Sequence, residues 1–207
     1  MKPPVLVALV GGSGAGKTWL ACRLESALAP DAAYLSLDDF YRDLSHLTFA
    51  RRERVNFDHP RAIDWDCLER VLHDCLAGRP THIPRYDFAT HTRRLDPEAW
   101  QPKPLVLLDG LWLLRRPTVR RLFARKIFVD CPRALRLTRR IRRDMQERGR
   151  SRRSVEQQFR EDVAPMHTRF VAAQKRWADL ILNSPIRSAN VRRVATDLRA
   201  LAAANRS

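Results

Sequence analysis

The chain has 207 residues, 44% of them hydrophobic, which is enough for one domain with a substantial core. Its 39 basic and 23 acidic residues give a formal net charge of +16, which favours a polyanionic partner such as phosphate groups or nucleic acid. The N-terminal apolar run is too short to span a membrane and lacks a cleavage pattern, so we expect a cytoplasmic protein without a membrane anchor or signal peptide.

The four cysteines show neither a CxxC pair nor zinc-finger spacing, which predicts reduced thiols rather than a disulfide or metal site. Cys22, Cys67 and Cys75 stand in apolar helical patterns, so we expect them to pack in the core.

The first motif is a phosphate-binding loop. A buried strand, Val5 to Val10, runs into it, and a helix from Lys17 to Leu28 follows, the context that this motif requires. Backbone amides at a helix N-terminus bind phosphate. The Lys17 ammonium group is expected at the β- and γ-phosphates, and the Thr18 hydroxyl at Mg²⁺. The residues expected to bind ATP here are Gly11, Gly12, Ser13, Gly14, Ala15, Gly16, Lys17 and Thr18.

Two carboxylates follow the second predicted strand, Ala33 to Leu37. Asp38 and Asp39 lie just past its carboxyl end, which faces the ligand crevice in open α/β sheets. Phosphoryl transfer to an alcohol needs a carboxylate that orients and deprotonates the acceptor hydroxyl, so either is a candidate base. The segment from Phe40 to Pro60 is polar and irregular.

The middle of the chain predicts a helix and then an insertion. Asp64 is a plausible N-cap for a helix that Gly78 ends, with apolar residues at helical spacing. Residues 81–100 break that periodicity and contain prolines, which predicts a hairpin insertion that binds substrate. A third strand, Leu105 to Leu108, ends at Asp109. An apolar strand ending in an acid is the Walker B arrangement, so we expect Asp109 to hold Mg²⁺ with Thr18.

The last part of the chain alternates helices and strands. Ala134, Leu137, Ile141 and Met145 are expected on one apolar helix face. The further elements are a helix from Pro117 to Arg125, a strand from Lys126 to Val129, a helix from Val155 to Trp177, a strand from Leu180 to Leu182 and a helix from Val191 to Ala203. The pattern predicts a single domain, residues 1–207, with a three-layer α/β P-loop kinase fold: a mostly parallel five-stranded sheet, helices on both faces and the insertion.

Arginine is concentrated between Arg115 and Arg153, a stretch that contains sixteen basic residues and only three acidic ones. Three interpretations stay open. Residues 139–153 are an arginine-rich lid in which Arg143 and Arg148 reach the ATP phosphates. The basic helix binds nucleic acid, which the absence of a recognisable binding motif disfavours. The charges form a solvated surface, the interpretation we give to the arginines between Arg115 and Arg125.

Five segments in this order resemble the uridine kinase (uridine-cytidine kinase) family of P-loop phosphotransferases. They are the P-loop, Asp38-Asp39-Phe40-Tyr41-Arg42, Asn56-Phe57-Asp58-His59-Pro60, Tyr86-Asp87-Phe88-Ala89-Thr90-His91-Thr92-Arg93, and the stretch from Arg139 to Arg150. The resemblance covers Val5 to Asn183 and implies ATP- and Mg²⁺-dependent phosphorylation of the 5′-hydroxyl of uridine, and usually cytidine. It also suggests a homo-oligomer, a tetramer or dimer.

The resemblance implies roles for individual residues. Asp38 is the general base, and Lys17 and Arg143 assist catalysis. Arg143 and Arg148 contact the ATP phosphates. The residues that contact the nucleoside are Tyr41, Phe57, Asp58, Tyr86, His91, Arg140, Arg150 and Gln158.

Two positions depart from the family pattern. Ala15 replaces the usual Ser, which matters little because the backbone binds the phosphates. Asp109 replaces the usual Glu and is one methylene shorter. The resemblance therefore does not extend to the geometry of metal binding or to the reaction rate. The alternatives are a kinase of the same fold that acts on another small alcohol, such as nicotinamide riboside, and a nucleotide-regulated nucleic-acid-binding protein.

Overall fold

The computed structural model describes residues 3–206. Its strands in chain order are β1 (Val5–Gly11), β2 (Ala32–Ser36), β3 (Thr81–Ile83), β4 (Tyr86–Asp87), β5 (Thr92–Arg93), β6 (Glu98–Trp100), β7 (Leu105–Gly110), β8 (Arg125–Asp130) and β9 (Leu180–Asn183). Its helices are α1 (Lys17–Leu28), α2 (Phe49–Arg52), α3 (Trp65–Leu76), α4 (Pro117–Arg120), α5 (Arg133–Arg148), α6 (Arg152–Gln158), α7 (Ala164–Met166) and α8 (Ser188–Arg206).

A five-stranded sheet with the order β2-β7-β1-β8-β9 forms the centre, and every strand pair in it is parallel. All residues of β1 and β7 are buried, as strands covered on both faces require. One face packs against α1 and α8, and the other packs against α3 and the helical segment that precedes β9. The predicted three-layer α/β fold with a parallel five-stranded sheet is therefore confirmed.

The insertion contains two antiparallel strand pairs, one inside the other. The outer pair is β3 with β6, and the inner pair is β4 with β5. Arg85, which lies between the two pairs, donates 2.9 Å from Nη1 to Oδ2 of Asp39 and also pairs with Glu98. This contact ties the insertion to the turn after β2.

The second strand ends earlier than predicted, at Ser36. The Ser36 hydroxyl accepts a hydrogen bond from the Asp38 amide and so caps a 3₁₀ turn, Leu37–Phe40. This turn places Asp38 and Asp39 at the carboxyl edge of the sheet. Downstream, α4 has only one turn because the chain from Arg125 onward joins the sheet beside Val7. The final helix is longer than predicted at both ends.

The predicted helix from Val155 to Trp177 is a continuous but irregular helical run. It begins at Arg152 and includes π-helical turns at Phe159–Val163 and His167–Val171, and a 3₁₀ segment at Ala172–Trp177. Pro165 lies inside this run. A proline lacks an amide hydrogen and collides with the preceding turn, so regular α-helical bonding cannot continue through it.

The apolar face predicted for α5 is wrong for two of its four residues, whereas Leu137 and Ile141 are half-buried and Leu137 packs near Phe159. Met145 is 47% exposed and Ala134 is also exposed, whereas the buried residues of this helix are Arg136, Arg140 and Asp144. They recur every four residues on the face that packs against the P-loop, where polar groups replace an apolar core. The prediction for Cys22 is also wrong: Cys22 is exposed, Cys67 is half-buried and Cys75 is buried. Within residues 3–206 no helix is long and apolar enough to cross a membrane.

Candidate active site

The P-loop joins β1 to α1 in a conformation that only glycine adopts easily. Gly14 and Gly16 have φ angles of 76° and 100°, and a Cβ on Gly14 would lie 2.5 Å from the backbone oxygen of Arg136. Lys17 donates from Nζ to the Gly12 carbonyl at 3.1 Å, and burial lowers its pKa although Asp109 opposes the shift. Ala15 is fully buried. The loop therefore presents backbone amides and one ammonium group at a helix N-terminus.

Asp109 joins the P-loop to the neighbouring strand. Its Oδ2 accepts a 2.7 Å hydrogen bond from the Thr18 hydroxyl, and its Oδ1 accepts bonds from Tyr34 at 3.1 Å and Ser36 at 3.2 Å. Burial raises the pKa of Asp109, and the Lys17 charge opposes that shift. The structure thus brings together the two residues that the sequence assigns to Mg²⁺.

A hydroxyl and one carboxylate fit the way proteins hold Mg²⁺. This ion usually takes one or two carboxylates and fills its remaining positions with water and substrate phosphates. Within residues 3–206, no group of three or more His, Cys, Asp or Glu side chains forms a metal cage. Thr18 and Asp109 therefore suit an ion that arrives with a nucleotide rather than a resident metal.

The structure separates the two candidate bases. Asp38 lines the cavity in front of the P-loop, half-buried. Asp39 does not line that cavity, because its carboxylate is held by Arg85. Burial raises the pKa of Asp39, and the neighbouring Arg85 charge opposes the shift.

One wall of the cavity is aromatic. Phe57 stacks on His91 with ring centroids 4.8 Å apart and planes inclined by 15°, and Tyr41 contacts Phe57 at 5.5 Å and Tyr86 at 5.2 Å. The Tyr86 hydroxyl and His91 Nδ1 are buried without a hydrogen-bond partner in residues 3–206. Burial lowers the pKa of His91 and raises that of Tyr86. This wall offers flat apolar surface and two free polar atoms.

Arg140 occupies the floor of the cavity. It is 5% exposed, donates to the Ser13 hydroxyl at 3.0 Å and to Gln158 Oε1 at 2.9 Å, and lies 3.6 Å from the Asp58 carboxylate. Burial raises the pKa of Asp58, although the nearby charge of Arg140 opposes that shift. Arg150 also donates to Gln158 Oε1, at 2.5 Å. These bonds fix the polar groups that face the aromatic wall.

Asp144 is the shared partner of three arginines. Its carboxylate is fully buried and lies 2.8 Å from Arg143, 3.3 Å from Arg140 and 3.8 Å from Arg148. Its backbone carbonyl also accepts from the Gly149 and Arg150 amides, which closes the end of α5. The sequence analysis gave no role to Asp144. The signal that was available is its position, four residues from both Arg140 and Arg148, which places all three on one helix face.

A further arginine lies behind the loop. Arg136 is 3% exposed, and its Nε and Nη1 atoms have no hydrogen-bond partner in residues 3–206. Burial lowers its pKa. A Cβ on Gly12 would lie 2.7 Å from Arg136 Nη1 and 2.8 Å from His167 Cδ2, so both side chains rest against the P-loop.

These elements enclose one cavity of about 350 Å³. Every residue expected to act in catalysis, metal binding or nucleoside binding lines it. Of the P-loop residues expected to bind ATP, five line the cavity, and Gly11, Gly12 and Ala15 do not line it. The cavity also includes residues that the sequence analysis did not assign: Trp19, Phe88, Gly110, Leu111 and Arg139. The guanidinium carbon of Arg148 lies over Phe88, 4.8 Å from the centre of the Phe88 ring.

A smaller cavity of about 250 Å³ adjoins the first. The two share Gly16, Trp19 and Arg139, and the smaller one extends to Pro185 and Ile186 after β9. Arg139 donates to the Gly14 and Ala15 carbonyls and to the Ser184 hydroxyl, so it connects the P-loop with this segment. The combined space extends from the P-loop in two directions.

The arginines between Arg115 and Arg125 lie at the surface, where Arg115 and Arg121 are exposed, but most of them also contact other side chains. Arg116 pairs with Glu69 at 2.9 Å, and Arg125 pairs with Asp197 at 3.1 Å. Arg115 and Arg120 lie on the aromatic rings of Phe170 and Trp177, at 4.4 and 4.1 Å.

Comparison with known proteins agrees with this geometry. Residues 6–189 match the phosphoribulokinase / uridine kinase family. The chain belongs to that family. It is 40% identical over 183 residues to a uridine kinase of Staphylococcus carnosus, covering 88% of each chain, and 41% identical over 179 residues to one of Chloroflexus aurantiacus, covering 86% of each.

A solved phosphoribulokinase from Rhodobacter spheroides shares the fold, with a TM-score of 0.65 over 88% of this chain and 71% of the other at 15% identity. The protein is thus a kinase of the phosphoribulokinase / uridine kinase family, whose P-loop implies the use of ATP.

Proposed function

We propose that this kinase transfers the γ-phosphoryl group of ATP to the 5′-hydroxyl of uridine, and of cytidine, to form the nucleoside monophosphate. The observation that carries the proposal is the aromatic wall of Phe57, Tyr86 and His91, which lines the same cavity as the P-loop. A nucleoside acceptor needs a flat apolar surface with a few polar atoms, and this wall supplies both. The curated relatives named uridine kinase support the same choice.

The acceptor is proposed to lie between the wall and the arginine floor. The pyrimidine stacks near Phe57 and Tyr86, with His91 at its exocyclic group. Asp58 accepts hydrogen bonds from the ribose hydroxyls, held in place by Arg140. Arg150 and Gln158 complete the nucleoside contacts, and their mutual hydrogen bond fixes both side chains. Tyr41 donates to the Phe57 carbonyl at 3.1 Å and is itself part of the wall.

The donor is proposed to occupy the P-loop, with its base in the smaller cavity beside Trp19 and Ile186. Lys17, Arg143 and Arg148 face the β- and γ-phosphates. As the 5′-oxygen forms its bond to the γ-phosphorus, Asp38 takes the hydroxyl proton and the bond to the β–γ bridging oxygen breaks, releasing ADP. The arginines stabilise charge on the transferring group and exclude water. Thr18 and Asp109 hold Mg²⁺, which when bound neutralises phosphate charge.

The test is ADP release measured with ATP and Mg²⁺ and one acceptor at a time. The acceptors are uridine, cytidine, adenosine, nicotinamide riboside, ribulose 5-phosphate and none. Release that depends on uridine or cytidine supports the proposal. Release with only another acceptor keeps the kinase assignment and contradicts the pyrimidine pocket. His91→Ala is the matched variant, and we expect it to raise the KM of the nucleoside while the KM of ATP stays constant.

Two further expectations stay predictions: a cytoplasmic location and assembly into a homo-oligomer, a tetramer or dimer.

A further inference from the structure

A second cavity is lined by basic residues and includes the chain segment that directly follows Asp58. It has a volume of about 580 Å³, and four guanidinium groups surround it, those of Arg42, Arg61, Arg115 and Arg169. No acidic side chain lines it. We call it the basic groove. Its volume lies within the range usual for sites that take small ligands.

The surroundings of the four groove arginines are basic and aromatic. Within residues 3–206, none of the four forms an ion pair with a carboxylate, whereas Arg116, Arg125 and Arg143 each do. Two of the four are held by an aromatic side chain instead. Arg115 and Arg169 lie 4.4 and 5.0 Å from the ring centre of Phe170, which is 5% exposed. Stacking orients a guanidinium and leaves its N–H edge free for an anion.

A histidine lies at the centre of this charge. His59 contacts the Phe170 ring edge-on at 5.0 Å. Burial and the charges of Arg61, Arg169 and Arg115 lower its pKa. The groove therefore combines four guanidinium groups and a histidine, and no acidic side chain lines it.

We propose that the basic groove binds a small anion whose phosphoryl groups carry at least two negative charges in total. Guanidinium groups match phosphate oxygens bidentately, and four of them around one concavity match a compact multiply charged group. The site is separate from the P-loop, because the two cavities have no lining residue in common.

The groove and the nucleoside wall share one segment of chain. Phe57 and Asp58 line the active-site cavity, and His59, Pro60 and Arg61 line the groove. Short contacts hold this segment on the groove side, since Trp65 donates to the Pro60 carbonyl at 2.9 Å and Arg42 donates from its amide to Ala62. An anion bound in the groove therefore changes the KM of the nucleoside, a consequence that rests on the proposed function.

The binding test uses two histidines as separate reporters. His59 lies in the groove and His167 against the P-loop, so their imidazole NMR signals report the two sites independently. The probes are inorganic phosphate, pyrophosphate and uridine 5′-monophosphate, added to the full chain, with the His59→Gln variant assigning the signal. We expect pyrophosphate to shift the His59 signal saturably. If uridine 5′-monophosphate binds more tightly than pyrophosphate, the ligand is an organic phosphate.

The variant pair is Arg115→Gln/Arg169→Gln, with Arg192→Gln/Arg193→Gln as the control. The control removes the same charge from exposed positions on α8, which packs on the other face of the sheet. We expect the first pair to weaken the His59 response about tenfold or more while the His167 response persists. An absent His59 response, an equal loss in both pairs, or tighter binding of a hexaglutamate peptide than of pyrophosphate overturns the proposal. None of these results depends on which acceptor the kinase uses.

Discussion

Arg143 donates a 2.8 Å hydrogen bond from Nε to Oδ1 of Asp144, a carboxylate with no exposed surface. Arg140 and Arg148 approach the same carboxylate. Removing one partner of a buried ion pair leaves the other charges uncompensated, which costs about 3–5 kcal/mol. Asp144 thus positions the arginines of the candidate active site without itself lining the cavity.

Asp144→Asn keeps the size of the side chain and removes its charge. We expect kcat to fall about 10²-fold, because the guanidinium groups lose their common anchor. A purely structural role predicts lower thermal stability with normal kcat in the protein that stays folded, so kcat and the KM of ATP are measured below the unfolding temperature. Glu156→Gln is the control, since it breaks the exposed pair with Arg152 and is expected to change kcat less than twofold.

Asp38→Asn and Asp39→Asn distinguish the two adjacent carboxylates. We expect Asp38→Asn to lower kcat by about 10²–10⁴ while ATP still binds, because general-base catalysis contributes on that order. Asp39→Asn weakens the bond to Arg85 and is expected to leave kcat within about threefold. Steady-state kinetics and nucleotide-binding calorimetry measure both variants. A near-normal rate for Asp38→Asn contradicts its assignment as the base.

Tyr86→Phe and Tyr41→Phe remove hydroxyl groups with different surroundings. The Tyr86 hydroxyl has no partner in residues 3–206, whereas that of Tyr41 donates to the Phe57 carbonyl. We expect Tyr86→Phe to raise the KM of the nucleoside about tenfold with an unchanged free energy of unfolding. Tyr41→Phe is expected to lower the free energy of unfolding by about 1 kcal/mol. Equal loss of stability in both variants contradicts a free Tyr86 hydroxyl.

His167 predicts an acid dependence of stability. Burial, followed by the charge of Arg136, lowers its pKa to about 4 from an ordinary value of 6.5, although Asp130 opposes the shift. Between pH 6.5 and 4 the unfolded chain binds a proton that the folded chain does not, so the stability present above pH 6.5 is lost as the pH falls. With allowance for partial exposure this loss is about 2 kcal/mol. Denaturant unfolding at pH 7 and pH 4 measures it, and His167→Gln is expected to reduce the difference.

The sequence predicts the sheet and the P-loop because their signals are local. Apolar runs such as Val5 to Val10 mark buried strands, and Asp109 follows such a run directly. The exact end of β2 was not predictable from periodicity, because the Ser36 side chain caps the following turn. The resemblance supplied the nucleoside residues, which come from four separated segments.

The face of α5 shows where pattern reasoning fails. Hydrophobic periodicity assumes that a buried helix face meets an apolar core, but this helix packs on a loop of backbone and hydroxyl groups. Arg140 and Asp144 are therefore buried, and Met145 is exposed. Phe88 was missed because an exposed aromatic residue in an irregular insertion carries no periodic signal, and only the fold brings it beneath Arg148.

The buried cations beside the P-loop have a consequence for the handling of this protein. Lys17 and Arg136 both lie against this loop, and burial lowers the pKa of each side chain. A phosphate group bound at the loop then supplies a counter-charge to Lys17, and part of its binding free energy offsets the cost of burying that ammonium group. The nucleotide-free enzyme is accordingly least stable in dilute, anion-poor buffer, and sulfate or phosphate raises its melting temperature before any substrate is added.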